Sequence, residues 1–282
     1  MAVNYIYGTA GDDFLGGGSG IDIIYGYSGA DVLSGGGSND DIFGGSGNDI
    51  LNGGDGFDTL RGGDGDDRLK GGADDDLLSG GDGADRLFGE TGEDNLHGNT
   101  GSDLLVGGAN RDILFGGLDD DSLFGGTGSD YLSGGGGSDV LHGGAGNDNI
   151  YADGGDDLIK GGGGDDFILG RSGADLMFGG AGADTFFFES ASESGFGGGR
   201  DIIRDFESGT DTISLISIDA DALTAGLQNF TFITGAFTAA GQVRVVDDGG
   251  RYIVQAEVDG DSSADLEFLV FGDQPLETDF VL

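Results

Sequence analysis

Aspartate recurs at a fixed spacing through most of the chain, and carboxylates placed at regular intervals could bind metal ions. From Gly8 to Phe187 the sequence divides without insertion into twenty nine-residue units of the form G-G-x-G-x-D-x-U-x, where U is a large apolar residue. The sixth position is Asp in every unit. The predicted metal ligands are Asp13, Asp22, Asp31, Asp40, Asp49, Asp58, Asp67, Asp76, Asp85, Asp94, Asp103, Asp112, Asp121, Asp130, Asp139, Asp148, Asp157, Asp166, Asp175 and Asp184.

The elements that would hold these carboxylates follow from the other positions of the unit. The eighth position is always Leu, Ile, Met or Phe, and each such side chain is buried only if the units stack as a solenoid. Positions seven to nine predict a three-residue strand with the eighth side chain inward. The glycines at positions one, two and four predict a tight turn with positive φ. At position four some units have Asp or Asn, which also tolerate positive φ, and one has Ser38, which tolerates it less well.

Stacking of the units fixes the expected architecture. Two units would form one flattened coil, so the twenty units predict ten coils that rise about 4.8 Å each. Odd units stack on one side and even units on the other. The sequence therefore predicts an all-β protein, a parallel β-roll over residues 8–187, preceded by an initial strand over residues 1–7.

This repeat resembles that of the RTX, or haemolysin-type, calcium-binding family over about two thirds of the chain. The resemblance implies a parallel β-roll that binds calcium in its turns.

Repulsion between the stacked aspartates also favours calcium binding. Aspartates stacked about 4.8 Å apart repel by roughly 1 kcal/mol per pair in water, or 3 to 4 kcal/mol at an effective dielectric of 20. Summed over the eighteen gaps between stacked units, nine on each side, the unscreened repulsion reaches tens of kcal/mol and exceeds the usual stability of about 5 to 15 kcal/mol. Calcium accepts six to eight oxygen ligands in flexible geometry. Up to about 18 calcium ions would bring the net charge from −42 to −6, so we expect calcium binding and folding to be coupled.

Composition restricts the location and the partners. A net charge of −42 excludes nucleic-acid binding as the expected function, because nucleic-acid-binding surfaces are basic. The chain has no cysteine, no apolar run long enough to span a membrane, and no secretory signal peptide in residues 1–7. Weak calcium sites of the extracellular type fill near 0.1 to 1 mM calcium, and cytosolic free calcium is too scarce to fill them. We therefore predict an extracellular protein.

At Phe188 the glycine-rich repeat ends, and residues 188–282 predict an antiparallel β region that caps the solenoid. A cap would cover the apolar outward positions near the end of the repeats, such as Phe167, Leu169 and Phe178. The predicted strands are Asp211 to Ile218, Asn229 to Ile233, Gln242 to Val246, Arg251 to Val258 and Leu266 to Phe271.

Several motifs of this region resemble the C-terminal domain of serralysin-type secreted metallopeptidases. They are A-D-T-F-F-F-E-S-A-S-E-S-G, G-R-D-I-I-R-D-F-E-S-G-T-D-T-I, D-G-D-S-S-A-D-L-E and the terminal D-F-V-L. The resemblance implies an uncleaved signal, ending at Asp279 to Leu282, that is read by a type I secretion apparatus. The overall layout also resembles small nodulation-signalling exoproteins, which implies a role at a host membrane.

Two further groups of residues are ambiguous. Asp259, Asp261 and Asp265 resemble a calcium loop, but Val270 stands where such a loop has Glu, so we expect a polar turn. Arg68, Lys70 and Arg86 form a basic spot beside an outward apolar stripe of Phe88, Leu104, Val106 and Phe124. Ordinary strand preference accounts best for these residues, while contact with an anionic polysaccharide, a membrane or another copy is the functional alternative.

Catalysis is not predicted. The sequence contains no H-E-x-x-H zinc motif, no G-x-S-x-G elbow and no Cys, and His97 and His142 fall on opposite faces. We predict a secreted, non-catalytic binding protein. The alternatives are the calcium-binding and secretion module of a larger extracellular enzyme, and a targeting module resembling the R-modules of alginate epimerases. The oligomeric state is left open by the sequence.

Overall fold

The computed structural model describes residues 3–194, 199–218, 228–261 and 263–282. It divides into two compact units, Met1–Ala145 and Gly146–Leu282, and each is described by itself. The predicted boundary between residues 187 and 188 lies inside the second unit and stays a prediction. Within the described ranges, no helix has the length and apolarity needed to cross a membrane.

The first unit is built from short parallel strands that alternate between two sheets. Odd-numbered strands pair with one another, and so do even-numbered strands, with partners eighteen residues apart such as Leu87 and Leu105. The strands are β1 (Asn4–Tyr7), β2 (Phe14–Gly18), β3 (Asp22–Ser28), β4 (Val32–Gly37), β5 (Asp41–Ser46), β6 (Ile50–Asp55), β7 (Thr59–Asp64), β8 (Arg68–Ala73), β9 (Leu77–Asp82), β10 (Arg86–Thr91), β11 (Asn95–Thr100), β12 (Leu104–Ala109), β13 (Ile113–Leu118), β14 (Ser122–Thr127), β15 (Tyr131–Gly136) and β16 (Val140–Ala145).

The second unit continues the same pattern and then departs from it. Strands β17, β19, β21, β23 and β28 pair in parallel in one sheet, and β18, β20, β22 and β27 in another. The strands are β17 (Asn149–Gly154), β18 (Leu158–Gly163), β19 (Phe167–Ser172), β20 (Leu176–Ala181), β21 (Thr185–Phe187), β22 (Ile202–Phe206), β23 (Thr212–Ser214), β24 (Thr231–Ile233), β25 (Gln242–Asp247), β26 (Tyr252–Glu257), β27 (Leu266–Gly272) and β28 (Phe280–Val281). A 3₁₀ turn at Glu277–Asp279 precedes the last strand.

The core of both units is the column of eighth-position side chains. Every one from Ile24 to Phe186 is buried, while Leu15 in the first repeat is half-buried. Both the all-β fold and the parallel β-roll pairing are confirmed. Typical strands are longer than predicted, since Ile50–Asp55 runs from position seven of one repeat to position three of the next.

Positive φ occurs at positions two and four, and the prediction was wrong for position one. Non-glycine residues take this conformation at both positions, among them Tyr27 (φ 76°) at position two and Ser38 (φ 73°) at position four. Glycines at position one, such as Gly26 and Gly44, do not have positive φ. Their role is to leave space, as described below.

The C-terminal region combines two kinds of pairing. Strands β25, β26 and β27 form the predicted antiparallel sheet, with Val254 opposite both Val245 and Phe268. The predicted strand at Asp211 to Ile218 is shorter, because only Thr212–Ser214 pairs. β22 and β23 instead extend the parallel sheets of the repeats, with Ile203 opposite Met177 and Ile213 opposite Phe186.

Candidate metal centre

The aspartates of the sixth position lie at the end of each turn, immediately before the next strand. Nineteen of them are buried, from Asp22 to Asp184, and Asp13 is half-buried. A buried carboxylate needs hydrogen bonds or a cation to compensate for the loss of water. The two oxygens of each carboxylate meet this need in different ways.

From Asp31 onward, one carboxylate oxygen accepts a backbone hydrogen bond from the preceding coil. The amide of Asp94 donates to Oδ1 of Asp112 at 2.8 Å, and the amide of Asp112 donates to Oδ1 of Asp130 at 2.8 Å. The same bond recurs from Asp13 and Asp31 to Asp166 and Asp184. Sequence reasoning missed this ladder, because the spacing places aspartates above one another without showing which atoms meet.

The second oxygen is buried without a hydrogen-bond donor in most turns. Such Oδ2 atoms belong to Asp22, Asp31, Asp40, Asp49, Asp58, Asp67, Asp76, Asp85, Asp94, Asp103, Asp112, Asp121, Asp166, Asp175 and Asp184. An unsatisfied buried acceptor costs about 1 to 3 kcal/mol, and more when it is charged. These oxygens are therefore the strongest indication that the turns bind a cation.

The glycine at position one forms the wall of this space. A Cβ at Gly26 would overlap Oδ2 of Asp31 and lie 2.6 Å from the carbonyl oxygen of Gly44, one coil further along. The same arrangement recurs in the second unit, where a Cβ at Gly161 would overlap Oδ2 of Asp166 and lie 2.6 Å from the Gly179 carbonyl oxygen. A carboxylate oxygen and a carbonyl oxygen thus adjoin one side-chain-free space, and oxygen donors of this kind suit calcium.

Burial changes the protonation of these carboxyl groups. Loss of water raises the pKa of Asp76 and Asp112 to about 8, with neighbouring aspartates adding to the shift. The same causes raise the pKa of Asp58, Asp103 and Asp121 to about 7. At neutral pH Asp76 and Asp112 therefore hold protons unless a cation replaces them.

The ladder extends beyond the repeats to two aspartates that the repeat pattern did not identify. Asp175 donates its amide to Oδ1 of Asp201 at 3.0 Å, and Asp184 donates to Oδ1 of Asp211 at 3.1 Å. Each is followed two residues later by a buried Ile, at Ile203 and Ile213. Both aspartates could have been found from the D-x-U part of the repeat, which they keep although the full glycine pattern that precedes it in the repeats is absent.

Three places depart from the regular turn. At the first repeat, Thr9 donates both its amide (2.6 Å) and its hydroxyl (3.0 Å) to Oδ2 of Asp13, so that oxygen is satisfied. At position one of the repeat 152–160, buried Ala152 places a methyl group where other turns have only space. In the cap, Oδ2 of Asp211 accepts the amide of Glu207 at 2.8 Å.

The two histidines do not form a metal site together. His97 lies on β11 and stacks on Phe115 with ring centroids 5.0 Å apart, whereas His142 lies on β16 of the other sheet and approaches Phe124. The predicted placement on opposite faces is therefore observed.

These features define a class of protein, the parallel β-solenoid with oxygen-lined cation sites in its turns. The chain matches the family model of the RTX calcium-binding nonapeptide repeat over residues 3–24, 16–51, 25–60, 52–87, 61–96, 88–123, 124–159 and 151–186. These segments cover more than half of the chain, so the protein belongs to the RTX calcium-binding repeat family. The predictions of the family and of calcium as its metal are confirmed.

Among solved structures, the chain is similar to the solution structure of the AlgE6R3 subunit from the Azotobacter vinelandii mannuronan C5-epimerase. The two are 29% identical over 58% of this chain and 78% of that one, with a TM-score of 0.36. A comparison with curated proteins found no match.

Proposed function

We propose that this RTX protein is a secreted, non-catalytic binding protein that folds when it meets extracellular calcium. The observation that supports this most is the row of buried Oδ2 atoms without donors, each beside a position-one glycine. In the absence of a divalent cation these carboxylates either repel one another or take up protons. A chain with this design is expected to stay unfolded where calcium is scarce.

The location of the C-terminal residues fits export before folding. Asp279 is buried, and its carboxylate accepts the Ser208 hydroxyl at 2.7 Å and the Gly209 amide at 3.0 Å. Phe280 pairs with Ile213 in the sheet. Recognition of Asp279 to Leu282 by a type I secretion apparatus would therefore take place on the unfolded chain.

A calcium titration tests the coupling between binding and folding. We expect circular dichroism of the full chain to change from disordered to β between about 0.1 and 1 mM free calcium, the range of extracellular calcium modules. Magnesium at the same concentration should not replace calcium, because it requires stricter octahedral geometry. A chain that is already folded at micromolar calcium would argue against folding on export.

A second candidate function is binding of an anionic polysaccharide at the basic spot. Arg68 and Arg86 are direct neighbours on β8 and β10, where like charges are destabilising, and both guanidinium groups lie over the ring of Phe88 at 5.4 and 5.9 Å. Lys70 is paired with Glu90 at 3.0 Å. The apolar stripe continues across adjacent strands from Phe88 to Val106 and Phe124.

Polyuronate binding by the calcium-loaded chain tests this candidate. The variant Arg68→Gln/Arg86→Gln should lose binding, whereas Arg251→Gln, which replaces a half-buried arginine paired with Asp248 in a turn of the second unit, should retain it. Equal binding by both variants would reject the basic spot as the contact. Binding to anionic vesicles in place of polyuronate would assign a membrane as the partner.

A further inference from the structure

A group of three carboxylates lies outside the repeats, in the hairpin formed by β26 and β27. Glu257 ends β26, and Asp259 and Asp265 belong to the loop that follows. One carboxylate oxygen from each of the three lies within 4.8 Å of the other two. Such close like charges are unfavourable unless a proton or a cation is shared between them.

Backbone amides hold two of these carboxylates in place. Oε1 of Glu257 accepts the amides of Asp259, at 3.1 Å, and Gly260. Oδ2 of Asp265 accepts the amides of Val258 at 2.6 Å and Asp259 at 3.3 Å. The hairpin loop therefore positions the carboxylates without occupying all of their oxygens.

The remaining oxygen of Glu257 points to a ligand. Glu257 is 0% exposed, and its Oε2 atom is buried without a hydrogen-bond partner. The ion pairs found among the described residues do not include Glu257: in this region Arg200 pairs with Glu267 and Arg251 with Asp248. Glu257 thus combines a buried oxygen without a donor with a carboxylate that lies within 4.8 Å of two others, and a cation would satisfy both.

We propose that Glu257, Asp259 and Asp265 bind a calcium ion in the hairpin, independently of the repeat sites. The ligands are carboxylate oxygens only, which favours a hard divalent cation, and the flexible calcium geometry accommodates a loop of mixed exposure. Asp261, which the calcium-loop resemblance included, is not one of the three. It is exposed and accepts the amide of Ser263 at 2.7 Å.

This site would fix the cap to the end of the repeats in the second unit. β27, which leaves the hairpin, pairs in parallel with β22, and the Leu269 amide donates to the Asp201 carbonyl oxygen at 2.9 Å. The Ser194 hydroxyl donates to the Glu267 carbonyl oxygen at 2.8 Å. An ion at the start of the loop would order the hairpin that makes these contacts.

Anomalous diffraction from crystals of the full chain, grown in calcium and soaked in terbium, tests the site directly. We expect a terbium peak within about 2.6 Å of oxygens from all three residues, in addition to peaks in the repeat turns. No peak at the hairpin in crystals whose repeats are loaded would overturn the proposal. Because repeat peaks are observed separately, failure of this site is distinguishable from failure of the proposed function.

Hydrogen exchange supplies a second test in solution. At calcium about ten times the dissociation constant of the hairpin, Glu257→Gln should speed exchange of the β26 and β27 amides about tenfold relative to wild type. Exchange in β8 and β10 should not change. Asp265→Asn should reproduce the effect, and Asp247→Asn, which removes an exposed carboxylate from the neighbouring turn, should not. Identical exchange in Glu257→Gln, Asp265→Asn and Asp247→Asn would overturn the proposal.

Discussion

Regular repeat turns and the irregular places in the same chain satisfy the aspartate in different ways. In a regular turn such as Gly26 to Asp31, Oδ2 is buried without a donor beside a space that a Cβ would fill. At the first repeat and in the cap, Thr9 and Glu207 donate to Oδ2 of Asp13 and Asp211. The protein therefore supplies its own donors at these margins, whereas the interior turns are the ones that we expect to bind calcium.

The repeat containing Ala152 is a third case. Its methyl group lies at the position that is glycine in the regular turns, and the adjoining position-two residues Asp153 and Arg171 form an ion pair one coil apart. The Ala152 methyl group takes up the space that a position-one glycine leaves open in the regular turns. We therefore expect this repeat to bind no calcium.

The largest effect is expected from Asp112→Asn in the interior of the first unit. Removing one charge of a buried, ion-bound carboxylate should lower the calcium-saturated free energy of unfolding by about 3 kcal/mol. Denaturant unfolding of the calcium-saturated chain measures this loss.

Asp13→Asn is the matched control, because Thr9 already satisfies Oδ2 there. It should cost about 1 kcal/mol, the value of an ordinary hydrogen bond. Equal losses at the two positions would remove the distinction between interior and marginal turns.

Exchanging glycine and alanine at position one should change the number of bound calcium ions. Gly62 does not have positive φ, so Gly62→Ala acts through space alone, and its Cβ would overlap Oδ2 of Asp67. We expect the loss of one bound calcium and of about 1 to 3 kcal/mol. Ala152→Gly should gain one calcium. Calcium counted by elemental analysis after equilibrium dialysis measures both, and unchanged counts would contradict the assignment of the site.

Calcium affinity should fall as the solution is acidified from pH 8 to pH 6. Burial, and then neighbouring aspartates, raise the pKa of Asp76 and Asp112 to about 8 in the metal-free fold, so protons compete with the ion. Where one proton is displaced per ion, the dissociation constant should rise about tenfold per pH unit. Titration calorimetry in buffers of different ionisation enthalpy measures this release, and a constant affinity would exclude proton competition.

The same shifts predict the pH dependence of the metal-free fold. A carboxyl whose pKa is raised on folding stabilises the fold below its unfolded pKa, and this contribution is lost as pH rises through the folded value. The chelated chain should therefore be more ordered near pH 4 than at pH 8. Circular dichroism across this range would contradict the account if order increased with pH.

Much of this arrangement could be predicted from the sequence because the repeat is strict. The eighth position, which is always a large apolar residue, predicted the core. The sixth position predicted the aspartates that lie buried in the turns. The reason for glycine at position one could not be predicted, since it depends on how closely the aspartate carboxylate of the same repeat and the carbonyl oxygen of the next coil approach, and not on φ. Asp201 and Asp211 were missed because β22 and β23 keep the stacking without the glycine turns.

The hairpin carboxylates, too, could be predicted from the sequence only in part. A loop pattern identified Asp259 and Asp265, but Glu257 precedes the pattern and lies at the end of a strand. Only the antiparallel pairing of β26 with β27 brings the three oxygens together.

The most direct test of the central claim is far-UV circular dichroism of the full chain at pH 8, first with a calcium chelator and then with excess calcium. The account predicts a disordered spectrum that becomes a β spectrum when calcium is added, since only the ion satisfies the buried Oδ2 atoms at this pH. A β spectrum that is unchanged by the chelator would contradict it.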